Sequence, residues 1–220
     1  MKLIFIRHGQ TAWNAEHRVQ GRTNIPLNER GLLQARCAGE AVRFFEPTAI
    51  YSSPLERAYQ TAEAIARCAG VERITAMEEL TEIQFGAWEG KNIAELSEQF
   101  PEYWRDWTWL SEPALCKKLG AESGEEVLHR AKRAIEKMIS AHSDEDVIAI
   151  VSHTMPIKQF TAFAIGLHHT DIRSLKLSNC SISVINHDGT DGGSLEALAK
   201  GKYTLEMWNE TAHLRAGGLL

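Results

Sequence analysis

Cysteine is scarce in this chain of 220 residues and is nowhere clustered. The four cysteines lie far apart, with no CxxC pair among them: Cys37, Cys68, Cys116 and Cys180. This spacing argues against a disulfide framework and against a cysteine-based zinc site. It fits reduced thiols, so we expect a cytoplasmic location.

Long hydrophobic runs are missing as well. The first apolar run, residues 3–6, is four residues long and leads into Arg7, which is unlike a signal peptide. No stretch approaches the roughly 20 apolar residues that a membrane-spanning helix needs. The net charge is −5 and no basic stripe stands out, which argues against a nucleic-acid-binding protein. We expect neither a membrane nor a nucleic acid as partner, whereas a small anion remains compatible with local arginines.

What the chain does contain is an alternation of short apolar runs and amphipathic stretches. The apolar runs predict strands at residues 3–6, 49–52, near 74, 147–151, 182–186 and within 203–208. The amphipathic stretches predict helices at residues 29–45, from Pro54 onwards, at 124–142 and at 156–165. Such an alternation is typical of an α/β fold, here a three-layer sandwich with a mostly parallel central sheet and helices on both faces. The length favours a single domain over residues 1–220.

The remaining segments predict loops or a covering element. Residues 10–28, 80–90 and 111–124 are polar or rich in Gly and Pro and predict loops. Residues around 92–120 are interpreted as a helical, cap-like insertion packed by Trp104, Trp107 and Trp109. Asn28 is expected to cap the helix over 29–45, whose inward face would carry Leu32, Ala35, Ala38, Val42 and Phe45.

The most informative motif follows the first strand, where residues 3–6 end in Arg7, His8 and Gly9. A buried strand delivers its last side chains to one edge of the sheet, where α/β proteins place ligand sites. A guanidinium binds phosphate oxygens through a planar fork of donors, and an imidazole can attack phosphorus. Arg7 and His8 together therefore suit phosphate chemistry.

Three further segments carry groups of the same kind. His153 follows the strand at 147–151, Arg57 follows the strand at 49–52, and Glu82 lies in the loop at 80–90. The carboxyl ends of parallel strands would gather these groups at one edge. Two histidines, two arginines and a carboxylic acid are what phosphoryl transfer through a phosphohistidine requires.

Six stretches in order resemble the histidine phosphatase superfamily, in the branch that holds cofactor-dependent phosphoglycerate mutases and small bacterial phosphatases. They are IFIRHGQTAWN (4–14), VQGRTNIPLNERG (19–31), IYSSPLERAYQTAEAIA (50–66), ELTEIQFGAWEG (79–90), GAESGEEV (120–127) and VIAIVSHTMPIK (147–158). Several ordered motifs are far more specific than any one of them alone. The resemblance implies a phosphomonoester hydrolase that acts on a small phosphorylated metabolite.

The resemblance also implies a role for each matching residue. His8 would be the phosphorylated nucleophile, Glu82 the general acid, and His153 a donor to the phosphoryl oxygens. Phosphate would be bound by further groups: Arg7, Arg57, Asn14, Gln20, Gly21 and the backbone N–H of Thr154. Glu78, Glu79 and Glu89 are the alternatives for the acid, and Asn14 can instead shape a turn.

Two departures favour a phosphatase over a mutase. The family's mutases carry an arginine pair before the second histidine, whereas residues 100–120 hold Arg105, Lys117 and Lys118. The mutases also follow that histidine with Gly-Asn, where this chain has Thr154 and Met155. A mutase, and a regulator that binds phosphate ligands without catalysis, remain the alternatives.

The substrate stays open within the phosphatases. Some motifs resemble a bacterial metal-independent phosphoserine phosphatase, but Phe85 stands where that group has a histidine. An α-ribazole phosphatase and a broad-specificity monoesterase are therefore retained, and less-charged or aromatic esters are expected to be favoured. Residues 100–118 and the tail near His213 are the alternative sources of a cation that could bind a substrate carboxylate. We expect no cofactor and no metal, since the pair His168 and His169 lacks further ligands. A homodimer is left open.

Overall fold

The computed structural model of the chain describes residues 1–104, 108–168, 171–188 and 203–220. One sheet holds six strands in the order β3-β2-β4-β1-β5-β6. The strands are β1 (Lys2–Arg7), β2 (Ala49–Ser52), β3 (Ile74–Ala76), β4 (Val147–Ser152), β5 (Ile182–His187) and β6 (Tyr203–Glu210). β4 runs parallel to β1 and β2, and β2 runs parallel to β3. β5 is antiparallel to both of its neighbours, so the sheet is mostly parallel, as predicted.

Helices connect and cover these strands. In the described residues they are α1 (Ala12–Ala15), α2 (Glu29–Val42), α3 (Glu56–Ala69), α4 (Ile93–Gln99), α5 (Pro101–Trp104), α6 (Pro113–Leu119), α7 (Gly124–Ala141), α8 (Thr154–Ala164) and α9 (Ala212–Ala216). None of these helices is both long and apolar enough to cross a membrane.

The two faces of the sheet bury separate hydrophobic clusters. Leu3 of β1 packs in one cluster with Ile135 of α7 and Phe160 of α8. Ile4, which points to the opposite face, packs in the other cluster with Val42 of α2 and residues of α3. Helices therefore cover both faces, which confirms the predicted three-layer arrangement.

A third cluster is built on aromatic rings. Trp88 lies with its ring centroid 5.3 Å from that of Trp104 and 5.4 Å from that of Trp109. The cluster also contains Ile83 and Met155. Trp104 and Trp109 are buried, as the packing interpretation predicts, whereas Trp107 and His169 lie outside the described residues.

The helix boundaries correct three predictions. Residues 111–124 were predicted as a loop, but they contain α6. Pro113 lies in its first turn and Gly120, at φ +67°, ends it, so residues that indicated a loop are the start and stop of a helix. α3 begins at Glu56 after an extended Leu55, so Pro54 precedes the helix instead of opening it. The predicted loop at 10–28 also contains the short helix α1.

The inward face of α2 differs from the prediction by one residue. Asn28 caps the helix as predicted, since its Oδ1 accepts a hydrogen bond from Gly31 N at 2.8 Å. Gly31 is pressed against the chain at Gln10, where a Cβ would lie 2.0 Å from the carbonyl oxygen. Gly31 must therefore face inward, which turns Leu32 outward to 44% exposure. Phe45 lies beyond α2, in the 3-10 turn Arg43–Phe45.

Candidate active site

The predicted groups meet where β1, β4 and β2 end. β1 and β4 are adjacent and in register from Lys2 to Arg7, and His8 N continues the ladder by donating to Ser152 O at 3.0 Å. His8 and His153 therefore leave neighbouring parallel strands side by side. Their ring centroids are 5.0 Å apart.

His8 is held in one tautomer by its two hydrogen-bond partners. Its Nδ1 lies 2.7 Å from Gly9 O, which can only accept, so Nδ1 carries the proton. Arg57 Nε, which can only donate, lies 3.3 Å from His8 Nε2. Burial, followed by the charges of Arg57 and Arg7, holds the pKa of His8 well below its ordinary value. The side chain is therefore a neutral imidazole on the cavity lining, and its Nε2 lone pair accepts the hydrogen bond from Arg57 Nε.

Arg57 is fully buried and fixed by backbone carbonyls. Its Nη1 donates to Thr23 O at 2.9 Å and its Nη2 to Gly21 O at 2.7 Å. Burial lowers the pKa of Arg57 to about 10, which leaves the guanidinium charged at neutral pH. A fixed cation thus lies directly beside His8 Nε2.

Arg7 supplies a second cation from the end of β1. Its Nη1 donates to Leu177 O at 2.7 Å. Its Nε is buried and has no hydrogen-bond partner among the described residues, although Arg7 lines the same cavity. A buried donor without a partner is costly unless a ligand satisfies it, so Arg7 has the geometry of an anion-binding group.

His153 packs against the end of β2. Its Nε2 lies 2.8 Å from Ser53 Oγ, and its buried Nδ1 has no partner in the described part of the chain. Burial, followed by the charge of Arg57, lowers the pKa of His153 well below its ordinary value. A dianionic phosphoryl group would favour the protonated imidazole, so His153 can become a cationic donor when such a ligand binds.

Glu82 is bound to the start of α8. Its Oε1 accepts from Ile83 N at 2.9 Å and Met155 N at 3.0 Å, and its Oε2 accepts from Thr154 N at 3.1 Å. Burial outweighs these hydrogen bonds and raises the pKa of Glu82 above its ordinary value. A buried carboxyl group with a raised pKa, facing the cavity, is suited to donate a proton.

The competing glutamates have other contacts. Glu79 forms an ion pair with Lys137 at the surface, which lowers its pKa. Glu89 accepts hydrogen bonds from Arg22 N, Thr23 N and Phe85 N, each at 3.0 or 3.1 Å. Of the four candidate acids, Glu82 is the one that lines the cavity.

The expected phosphate contacts line the cavity, with the exception of His153. Asn14, Gln20, Gly21 and Thr154 all line it. Asn14 also has the turn-shaping role, since its Oδ1 accepts from Thr11 N at 3.2 Å. The backbone N–H of Thr154, which is expected to bind phosphate, donates here to Glu82 Oε2, and α8 begins at Thr154 instead of Pro156.

Gly21 has a specific reason to be glycine. Its φ is +55°, and a Cβ there would lie 2.1 Å from Glu89 Oε1. The Glu89 carboxylate also accepts hydrogen bonds from the backbone N–H groups of Arg22 and Thr23. The loop that presents Gly21 O to Arg57 is therefore fixed to the loop that carries Glu82.

Sequence reasoning missed the residues that hold the acid loop. Glu122 binds Arg130 through two hydrogen bonds of 3.0 Å, and it also accepts from Gln84 N at 3.0 Å and from Arg22 at 2.9 Å. Arg130 in turn donates to Glu79 O at 2.9 Å and to Thr81 O. The only signal in the sequence is the matched stretch 120–127, which contains Glu122 without indicating its partners.

The rest of the cavity, which has a volume of about 140 Å³, was also not predicted in detail. Phe85 lines it as expected, together with four unpredicted apolar residues: Val19, Ile93, Trp104 and Met155. The lining includes Arg18, whereas His213 binds Cys180 O at 3.0 Å and lies outside the lining. Among the described residues, no group of three or more His, Cys, Asp or Glu side chains could hold a metal ion.

Comparison with known proteins gives one consistent result. The profile described as histidine phosphatase superfamily (branch 1) matches residues 3–199. The chain is 34% identical over 186 residues to phosphoserine phosphatase 1 of Hydrogenobacter thermophilus, covering 84% of this chain and 86% of that protein. It is 33% identical over 219 residues to the probable phosphoglycerate mutase GpmB of Salmonella paratyphi A. This match covers 100% of this chain and 97% of that protein.

A solved structure agrees with these relatives. It is a histidine-to-alanine mutant of phosphoserine phosphatase from Entamoeba histolytica in complex with phosphoserine. This structure superposes with a TM-score of 0.79 at 28% identity, and the match covers 97% of this chain and 98% of that one.

Proposed function

This chain belongs to the histidine phosphatase superfamily (branch 1), and we propose that it hydrolyses small phosphomonoesters through a phosphohistidine on His8. The observation that carries the proposal is the state of His8. It is buried and neutral, with its proton fixed on Nδ1 and its Nε2 lone pair beside Arg57. That is the form of an imidazole that can attack phosphorus.

In the first step, the phosphoryl group lies against Arg7 and Arg57, and His8 Nε2 attacks phosphorus. The P–Nε2 bond forms as the bond to the ester oxygen breaks, and Glu82 gives its proton to the departing oxygen. The Nδ1–H of His8 stays hydrogen-bonded to Gly9 O, which stabilises the positive charge that the ring gains.

In the second step, water replaces the leaving group. Glu82, now a carboxylate, takes a proton from that water. The water oxygen attacks phosphorus as the P–Nε2 bond breaks. His153, Asn14 and Gln20 line or adjoin the same pocket and would bind phosphoryl oxygens in both steps. The products are inorganic phosphate and the alcohol, and Glu82 is protonated again.

The scaffold for this chemistry is proposed to be one domain over residues 1–220, with residues 92–120 as a cap. The packing of Trp104 and Trp109 with Met155 of α8 supports this assignment. All four cysteines are unpaired thiols, which supports a reducing, cytoplasmic setting.

A phosphoglycerate mutase is the second candidate, favoured by the likeness to the Salmonella protein over the whole chain. The apolar side of the cavity, formed by residues such as Phe85 and Trp104, argues against it. A mutase must bind a small, highly charged acid there and keep water from the phosphoenzyme.

The test is to trap the phosphoenzyme in the presence of EDTA. Brief incubation with a ³²P-labelled phosphomonoester and acid-free denaturation should give an acid-labile, alkali-stable label on His8, and inorganic phosphate should be released at an unchanged rate with EDTA. No metal is needed because Arg7 and Arg57 already supply positive charge.

Three results would contradict the proposal. Activity that disappears with EDTA and returns with Mg²⁺ would show a metal-dependent reaction. Phosphoryl transfer between 2- and 3-phosphoglycerate without phosphate release would identify a mutase. Reversible binding of the ester without any label would identify a binding protein.

A further inference from the structure

The cavity lining contains two chemically distinct sets of residues. His8 and Glu82, with the buried Arg57 and the partly buried Arg7, form the proposed phosphoryl site. A second set is apolar, and in it Phe85 stacks on Trp104 with their ring planes 15° apart and centroids 6.2 Å apart. The leaving-group part of a bound ester therefore lies against aromatic and aliphatic surface beside the phosphoryl site.

Arg18 lines the same cavity as these apolar residues. Among the described residues that line the cavity, it is the one cation besides Arg7 and Arg57. Its Nη1 donates to Gly90 O at 3.0 Å and its Nε to Glu16 Oε2 at 2.7 Å. These contacts use two of the five donors of a guanidinium, so others remain for a ligand.

The partner of Arg18 is easily displaced. The side chains of Arg18 and Glu16 are 47% and 51% exposed, and ion pairs between such exposed groups contribute little to stability. Gly90 O, by contrast, is a fixed backbone group that positions the guanidinium. A ligand carboxylate can therefore replace Glu16 while Arg18 stays in place.

The position of Arg18 limits the size of the ligand. Three peptide units connect its Cα to that of Gly21, whose carbonyl binds Arg57, so the two Cα atoms lie at most about 11 Å apart. An anion bound by Arg18 and the phosphoryl group therefore occupy one small cavity, whose lining also includes Phe85 and Trp104. A substrate that fills both positions needs a body that can pack on these two rings.

We propose that Arg18 determines specificity by binding an anionic group on the leaving group. The favoured substrate is then a phosphomonoester in which an apolar, ring-sized body separates the phosphate from a carboxylate. This inference rests on the proposed phosphatase function of the same site. It places the cation outside residues 100–118 and the tail near His213, which the sequence offered as alternative sources.

The experiment compares 4-carboxyphenyl phosphate with its neutral analogue, 4-carbamoylphenyl phosphate. The readout is the ratio of kcat/KM for the carboxylate to kcat/KM for the amide, because differences in leaving-group reactivity are common to all variants. Arg18→Gln should lower this ratio about tenfold, and Arg18→Lys should restore part of it. Glu16→Gln, which removes the competing carboxylate, should raise the ratio two- to threefold, by the same reasoning.

Arg36→Gln is the matched control, since it removes one exposed positive charge from α2, outside the cavity lining. The ratio should stay at the wild-type value in this variant. An unchanged ratio in Arg18→Gln would overturn the proposal, as would equal losses for both esters, which would mean that Arg18 only shapes the pocket.

Binding separates this inference from the proposed function. In the His8→Ala background, calorimetry should show that the carboxylate ester binds about tenfold tighter with Arg18 than with Gln at this position. If this difference in affinity is found but the parent protein hydrolyses no ester, the proposed phosphatase function is overturned and Arg18 is kept as an anion-binding residue. Hydrolysis by the parent protein without this difference in binding would keep the phosphatase function and overturn the role of Arg18.

Discussion

Replacing His8 with alanine is expected to lower kcat by about 10⁴-fold or more while the protein stays folded. The substitution removes the atom that would form the bond to phosphorus, and no neighbouring group can replace it. His153 is adjacent, but its Nε2 is bound to Ser53 Oγ. The remaining arginines can bind phosphate without breaking the ester bond.

Folding should survive because His8 lines a cavity instead of filling the core. Its side chain contributes one hydrogen bond to the adjacent Gly9 and one from Arg57. We expect Tm to change by no more than about 4 °C. His129→Ala, at an exposed position of α7, is the matched control and should keep wild-type kcat. More than a few per cent of residual kcat in His8→Ala would rule out the phosphohistidine mechanism.

Glu82→Gln should show a loss that depends on the leaving group. For alkyl phosphates we expect a decrease in kcat/KM of about 10²- to 10³-fold, because an alkoxide needs a proton to depart. For aryl phosphates with an acidic phenol we expect a decrease of no more than about tenfold. Glu79→Gln is the control, since Glu79 pairs with Lys137 outside the cavity, and it should leave both classes unaffected. Equal losses for the two classes in Glu82→Gln would assign the acid to another residue.

The pH profile gives the same test a second readout. Glu82 is active as an acid only while protonated, and burial raises its pKa above the ordinary value of 4.5. For alkyl esters, kcat/KM should therefore fall as pH rises through that raised pKa. Glu82→Gln should lose this basic limb, whereas the substrate's own ionisation stays the same in both proteins. A basic limb that persists in the variant would belong to another group.

The chemistry of this site is largely predictable from sequence, because its groups are tied to strand ends. His8 and His153 each follow an apolar run, and adjacent parallel strands must bring such residues together. Glu82 could be placed in the site only through its motif, since a loop has no periodicity. The boundary of α8 was misjudged because Pro156 suggested a helix start, and the true start redirects Thr154 N–H to Glu82.

The specificity of the site is much less accessible from sequence. Arg18 lies in a polar loop, and nothing in its neighbours indicates that Ile93 and Trp104 border the same cavity. Likewise, Glu122 and Arg130 are eight residues apart on one segment, but their joint contact with the acid loop exists only after folding. Contacts between loops depend on tertiary structure, which pattern and propensity do not describe.

The two buried histidines make the free energy of unfolding depend on pH in the acid range. Unfolding lets His8 and His153 take up protons that the folded site excludes, since their folded pKa values lie well below 6.5. Their contribution to stability is complete above pH 6.5 and is lost as pH falls from there towards the folded pKa values. The loss reaches about 1.4 kcal/mol per pH unit for each histidine. A bound phosphate anion opposes this loss, because it favours the protonated imidazole of His153 and binds only the folded site.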